Sequence, residues 1–138
     1  MNALIPEKDV TLARLQQVFE AAFVENDVDE DGDLVIRTEN TTKIFVSLDE
    51  RNKLIRFTSL YGVRDDALEA EKQELANTLN DNIVFVRFSA AQSSALVCDY
   101  YLPFNGALAP LHIVTVTRLF NRIIASSLSE YDTSNLLL

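Results

Sequence analysis

Two repeat lengths alternate along this chain, and their order limits the folds open to it. Apolar residues recur at helical spacing from Asp9 to Phe23, then in strand-like alternation from Val28 to Leu60. Helical spacing returns from Ala67 to Leu79, strands from Ile83 to Leu102, and a last, very apolar helical stretch runs from Leu108 to Leu128. The pattern predicts an α+β fold: a twisted antiparallel sheet of about five to six strands with three helices, in the order α-ββββ-α-ββ-α. A chain of 138 residues with few glycines and prolines reads as one domain over residues 1–128. Residues 129–138 are polar apart from Tyr131 and the terminal leucines, and are expected to form a mobile tail.

Charge narrows the partners. The formal net charge of −9 repels a phosphate backbone, so general nucleic-acid binding is disfavoured. No apolar run approaches the ~18 residues that a membrane span requires. Glu7, Lys8 and Asp9 interrupt the N-terminal segment before any secretory signal could form. The reading is cytoplasmic, and the lone Cys98 agrees, since one cysteine builds no internal disulfide framework.

Local signals place the elements. Asp9 is the expected N-cap of the first helix, with Leu12, Leu15, Val18, Phe19, Ala22 and Phe23 on its apolar face. Asp31-Gly32 marks a tight turn between Val28 and Leu34, because glycine accepts positive φ without strain. A second hairpin turns at Asp49 to Asn52, and a third pairs Ile83–Ser89 with Ala95–Leu102 around Ala90 to Ser94. The middle helix points Leu68, Leu75, Ala76 and Leu79 inward and Lys72 outward. Pro110 suits the first turn of the last helix, whose apolar arc is wider than one sheet needs.

Catalytic signals are weak. Asp27, Asp29, Asp31 and Gly32 have the spacing of a calcium loop, but Thr38 stands where a bidentate Glu belongs and a strand follows instead of a helix. An acidic, solvated hairpin tip is the better reading. His112 is the only histidine and has no evident nucleophile; Ser93 and Ser94 fall in a turn without an elbow motif. Cys98 alternates with Leu96 and Tyr100 and reads as a small core residue. No catalytic, cofactor or metal residues are assigned, and the chain is not expected to be an enzyme.

The strands carry the more specific pattern. Leu34, Ile36, Ile44, Val46, Leu48, Ile55, Phe57, Val84, Val86, Phe88, Leu96, Cys98 and Tyr100 form one apolar face. If all three helices cover that face, the other side presents Arg37, Phe45, Arg56, Phe85, Arg87 and Tyr101, with Val35, Leu54, Val97 and Asp99. Arginine and aromatic side chains suit a protein-binding surface, because they offer large contact area with few rotamers to freeze. Cross-strand pairing is the competing account, with Arg87 opposite Asp99 and Phe85 opposite Tyr101.

The opening helix and Val28-Asp-Glu-Asp-Gly-Asp-Leu-Val-Ile-Arg37 resemble the YbjN-like bacterial proteins. So do Asn82-Ile-Val-Phe-Val-Arg-Phe88 and Leu96 to Pro103, leading into a helix with Arg118-Leu-Phe120. The resemblance implies a fold similar to type III secretion chaperones, a homodimer, and a sensory-transduction or stress-related regulator that contacts a protein partner. The runner-up is a secretion-type chaperone that holds an extended segment of a client. Neither implies a catalytic residue or a cofactor.

Overall fold

The computed structural model describes residues 3–38, 42–91 and 94–138. It contains three α-helices and a six-stranded antiparallel sheet, as the alternating periodicities predict. The sheet strands are β2 (Asn26–Val28), β3 (Leu34–Arg37), β4 (Lys43–Asp49), β5 (Leu54–Gly62), β6 (Arg87–Ser89) and β7 (Ala95–Pro103), in the order β2-β3-β4-β5-β7-β6. The helices are α1 (Leu12–Ala21), α2 (Glu69–Asn82) and α3 (Pro110–Tyr131). A second, two-stranded ladder pairs β1 (Ile5–Pro6) with β8 (Ala107–Leu108), and no strand periodicity is long enough to announce it.

The chain falls into two compact units. The first comprises Met1–Phe57 and Tyr101–Leu119. Its buried apolar set includes Leu15, Phe19, Leu34, Ile36, Ile44, Val46, Ile55, Phe57, Leu102, Phe104 and Ile113. The acidic hairpin is built as expected: Val28 pairs with Leu34, and Gly32 sits at φ 84° in the turn. Asp29 Oδ1 accepts the Asp31 and Asp33 amides, each at 2.9 Å, so this carboxylate serves as a turn bracket. The N-cap of α1 is Thr11, whose Oγ1 accepts from the Arg14 amide at 3.1 Å. Asp9 lies earlier, inside a 3-10 turn over Glu7–Asp9, and does not cap the helix.

Helix α1 stops abruptly. The Val24 amide donates to Phe19 O at 2.9 Å and the Phe23 amide to Glu20 O at 3.0 Å, the double bond of a Schellman cap. That motif needs a left-handed residue, and Phe23 supplies it at φ 59°. Its ring leaves the apolar face of the helix and is 97% exposed, against the inward position its spacing predicts.

The second unit comprises Thr58–Tyr100 and Phe120–Leu138. Leu75, Leu79, Val86, Phe88, Leu96, Cys98, Phe120, Ile124 and Leu136 are its main buried apolar residues. Helix α2 starts later than its spacing implies, with Glu71 Oε1 accepting from the Leu68 amide at 2.9 Å. Leu68 is therefore a boundary residue and exposed. Lys72, expected outside, is buried, with its ammonium held 2.8 Å from Glu69 Oε2.

Strand β6 is only three residues long, tied to α2 by Asn80, whose side chain accepts from the Phe88 amide at 2.9 Å and donates to Phe88 O at 2.8 Å. Val84, expected inward, lies before this strand and is exposed. In the turn from Ala90 to Ser94, Gln92 and Ser93 lie outside the described residues.

Residues 129–138 comprise the end of α3 and a segment with its own backbone hydrogen bonds. Asp132 caps the Leu136 and Leu137 amides at 2.9 and 3.0 Å. The Arg64 amide donates to Leu136 O, and the Leu138 amide donates to Gly62 O. Leu136 is buried, and a Cβ on Gly62 would lie 3.0 Å from Leu138 Cδ1, so glycine there admits the terminal leucine.

Candidate functional site

Alternation along the strands sets out the expected contact face. In the first unit, Val35 is the register partner of Phe45, and Arg37 pairs with Lys43 two residues on. Phe45 is half-buried, and the Arg37 guanidinium reaches Asp27 Oδ2 on the neighbouring strand at 3.3 Å. On β5, burial alternates, leaving Leu54, Arg56 and Thr58 half-buried between buried Ile55, Phe57 and Ser59. The Arg56 guanidinium carbon lies 5.8 Å from the centroid of the Tyr101 ring, a cation–π contact worth about 0.5–1 kcal/mol where solvent reaches it. Tyr101 is 37% exposed. Arg37, Phe45, Arg56 and Tyr101 thus fall in one compact unit on strands β3, β4, β5 and β7.

The face is not uniformly open. Val35 is buried, as are Val97 and Asp99 in the second unit. Asp99 is satisfied by Arg87, its register partner, through Nε and Nη2 at 3.0 and 2.9 Å. The cross-strand reading of Arg87 therefore holds, although its side chain keeps 66% exposure.

Phe85 does not belong with this group. It precedes β6, takes φ 83°, and stacks on Tyr100 with centroids 4.0 Å apart and planes 13° from parallel. Tyr100 follows Asp99 along β7 and so points to the face opposite Asp99 and Tyr101. The two-residue alternation breaks at the left-handed Phe85, which is why its expected pairing with Tyr101 fails.

Electrostatics add a residue that sequence pattern misses. The Asp33 carboxyl is raised above the usual aspartate range, mainly by burial and then by the charges of Asp29 and Asp31. Arg56 opposes that rise, so the arginine of the expected contact face acts on the acidic tip. Asp49 is shifted the other way, lowered chiefly by its hydrogen bond from the Asn52 side chain.

Cys98 is fully buried, and burial, assisted by the charge of Asp99, pushes its thiol far up. His112 is exposed at the start of α3. Among the described residues, no group of three or more His, Cys, Asp or Glu side chains is placed to hold a metal ion. No described helix is long and apolar enough to cross a membrane.

A family model described as "Putative bacterial sensory transduction regulator", YbjN, matches residues 11–130. Among solved structures, the chain is similar to the crystal structure of YbjN from E. coli, described as "a putative transcription regulator". That likeness has a TM-score of 0.76 at 16% identity, and covers 94% of this chain and 96% of the other. No match was found among curated proteins.

Proposed function

The chain belongs to the YbjN family, and we propose that it is a non-enzymatic cytoplasmic regulator that works by gripping another protein. Support comes from the Arg56–Tyr101 pair, which sets an exposed aromatic ring and a guanidinium side by side on a sheet face. Such a pair offers a partner apolar area beside a fixed positive charge, already held in place before contact. Phe45 and Arg37, the latter paired with Asp27, extend the same patch within the first unit, while Phe85 stacks on Tyr100 and Arg87 holds Asp99 in the second unit. Burial of Cys98, with its thiol pKa pushed up, argues against this cysteine as a nucleophile. Self-association into a homodimer accompanies this reading.

A photo-crosslinking residue at Tyr101 tests it. The partner should be captured in cells by that variant and lost when Arg56→Ala is added, with the melting temperature nearly unchanged. Capture that is indifferent to Arg56 would overturn the assignment of this face.

A further inference from the structure

Phe23 combines a left-handed backbone with almost complete exposure. A Schellman cap favours glycine at its left-handed position, and a bulky side chain there is strained. Phe23 bears that strain at φ 59° and gains no burial in return, since its ring is 97% exposed. Strain together with full exposure of a large aromatic points to an occupant outside this copy of the chain.

Beside it lies a receptacle. Val18 of α1 and Ala22 at its C-cap, with Ala109 and then Pro110, Leu111 and Val114 of the first turns of α3, line an apolar groove of about 490 Å³. Leu111 is 76% exposed there, and Ala22 is the residue immediately before Phe23. All of these residues belong to the first unit. Knob and hole therefore share one patch, the arrangement that a two-fold, self-complementary interface requires.

Charge selects the same occupant. Arg118 is the one charged residue lining the groove, and it forms no ion pair among the described residues. Phe23 is flanked by exposed Glu20 and Glu25, neither of which has a side-chain partner among the described residues. A ring that enters the groove brings carboxylates toward an arginine that lacks one.

We propose that Phe23 of one copy inserts into the Leu111–Val114 groove of a second copy, and reciprocally, with Glu20 and Glu25 facing Arg118. This deepens the self-association proposed above by naming its surface, and it is independent of the Tyr101 contact face.

Sedimentation velocity across a concentration series provides the test. The wild-type chain should dimerise in the micromolar range, and Phe23→Gly should weaken dimerisation by about 30-fold or more, as for a central anchor. The same variant should melt higher than wild type when both are monomeric, because glycine accepts the left-handed backbone, so loss of the dimer could not be ascribed to misfolding. Arg118→Glu should also weaken the dimer, and adding Glu20→Arg and Glu25→Arg should restore it. A wild-type chain that stays monomeric at 100 μM on the order of saturation for such an interface, or a dimer indifferent to Phe23→Gly, overturns the proposal; in the first case the groove is free for a foreign peptide. Tyr101-dependent partner capture that survives in Phe23→Gly would separate failure here from failure of the contact-face reading.

Discussion

Arg87 closes over Asp99 from the adjacent strand: two hydrogen bonds, at 3.0 and 2.9 Å, hold a carboxylate that is 2% exposed beneath an arginine that is 66% exposed. The pair is asymmetric, since the acid has given up its water and the base has not. Removing the arginine should therefore cost more than the bond itself, because a buried carboxylate loses two charge-assisted hydrogen bonds. Arg87→Met is expected to destabilise the fold by about 2 kcal/mol, below the range for a fully buried pair because solvent still reaches the arginine. Denaturant titration of Arg87→Met with Asp99→Leu should show a smaller loss than Arg87→Met alone. Additive losses would contradict this account.

The C-terminal segment should resist exchange. Both oxygens of Asp132 are used on backbone amides, and Leu136 is buried. Asp132→Ala should cost about 1–2 kcal/mol and speed amide exchange at Leu136 and Leu137, while helix content stays the same. Exchange at the intrinsic rate in the wild-type chain would return these residues to the status of a loose tail.

Asp33 sets an acid-range dependence of stability. Its folded-state pKa is raised, so the folded chain binds more protons than the unfolded chain between the ordinary aspartate value of 3.8 and the raised one. Its contribution to stability therefore falls as pH rises through that window. Asp33→Asn should match wild type near pH 2 and exceed it in melting temperature near pH 7. A gap that closes with rising pH would reverse the assigned cause.

Cys98 should be silent toward thiol reagents. It is fully buried with a raised pKa, so modification at pH 8 must wait for opening of the fold. With ordinary domain stability, the native rate should be on the order of 1,000-fold or more below that of the denatured chain. A native rate near the denatured one would show a thiol open to solvent.

Particular residues show where sequence pattern suffices. Val28 opposite Leu34 and Arg87 opposite Asp99 follow from a two-residue repeat and a turn signal, and both registers are found. Pattern fails where a residue adopts a conformation that its type disfavours. Phe23 and Phe85 both have positive φ, so extending a periodic face through either one misplaces the ring. Lys72 escapes for a different reason: its stem is apolar, and burial depends on where Glu69 stands to receive the ammonium. Strand alternation also sufficed to set Arg37, Phe45, Arg56 and Tyr101 apart from the fully buried positions beside them. The influence of Arg56 on Asp33 was not legible, because the two residues come from different hairpins.

Both outermost strands of the sheet, β2 and β6, are three residues long. So short a border offers too few free main-chain groups to zip onto a visiting polypeptide, and equally few for runaway strand stacking. An extended guest docking along β2 or β6 would consequently be recognised chiefly by its side chains, which makes selectivity there a matter of composition and shape.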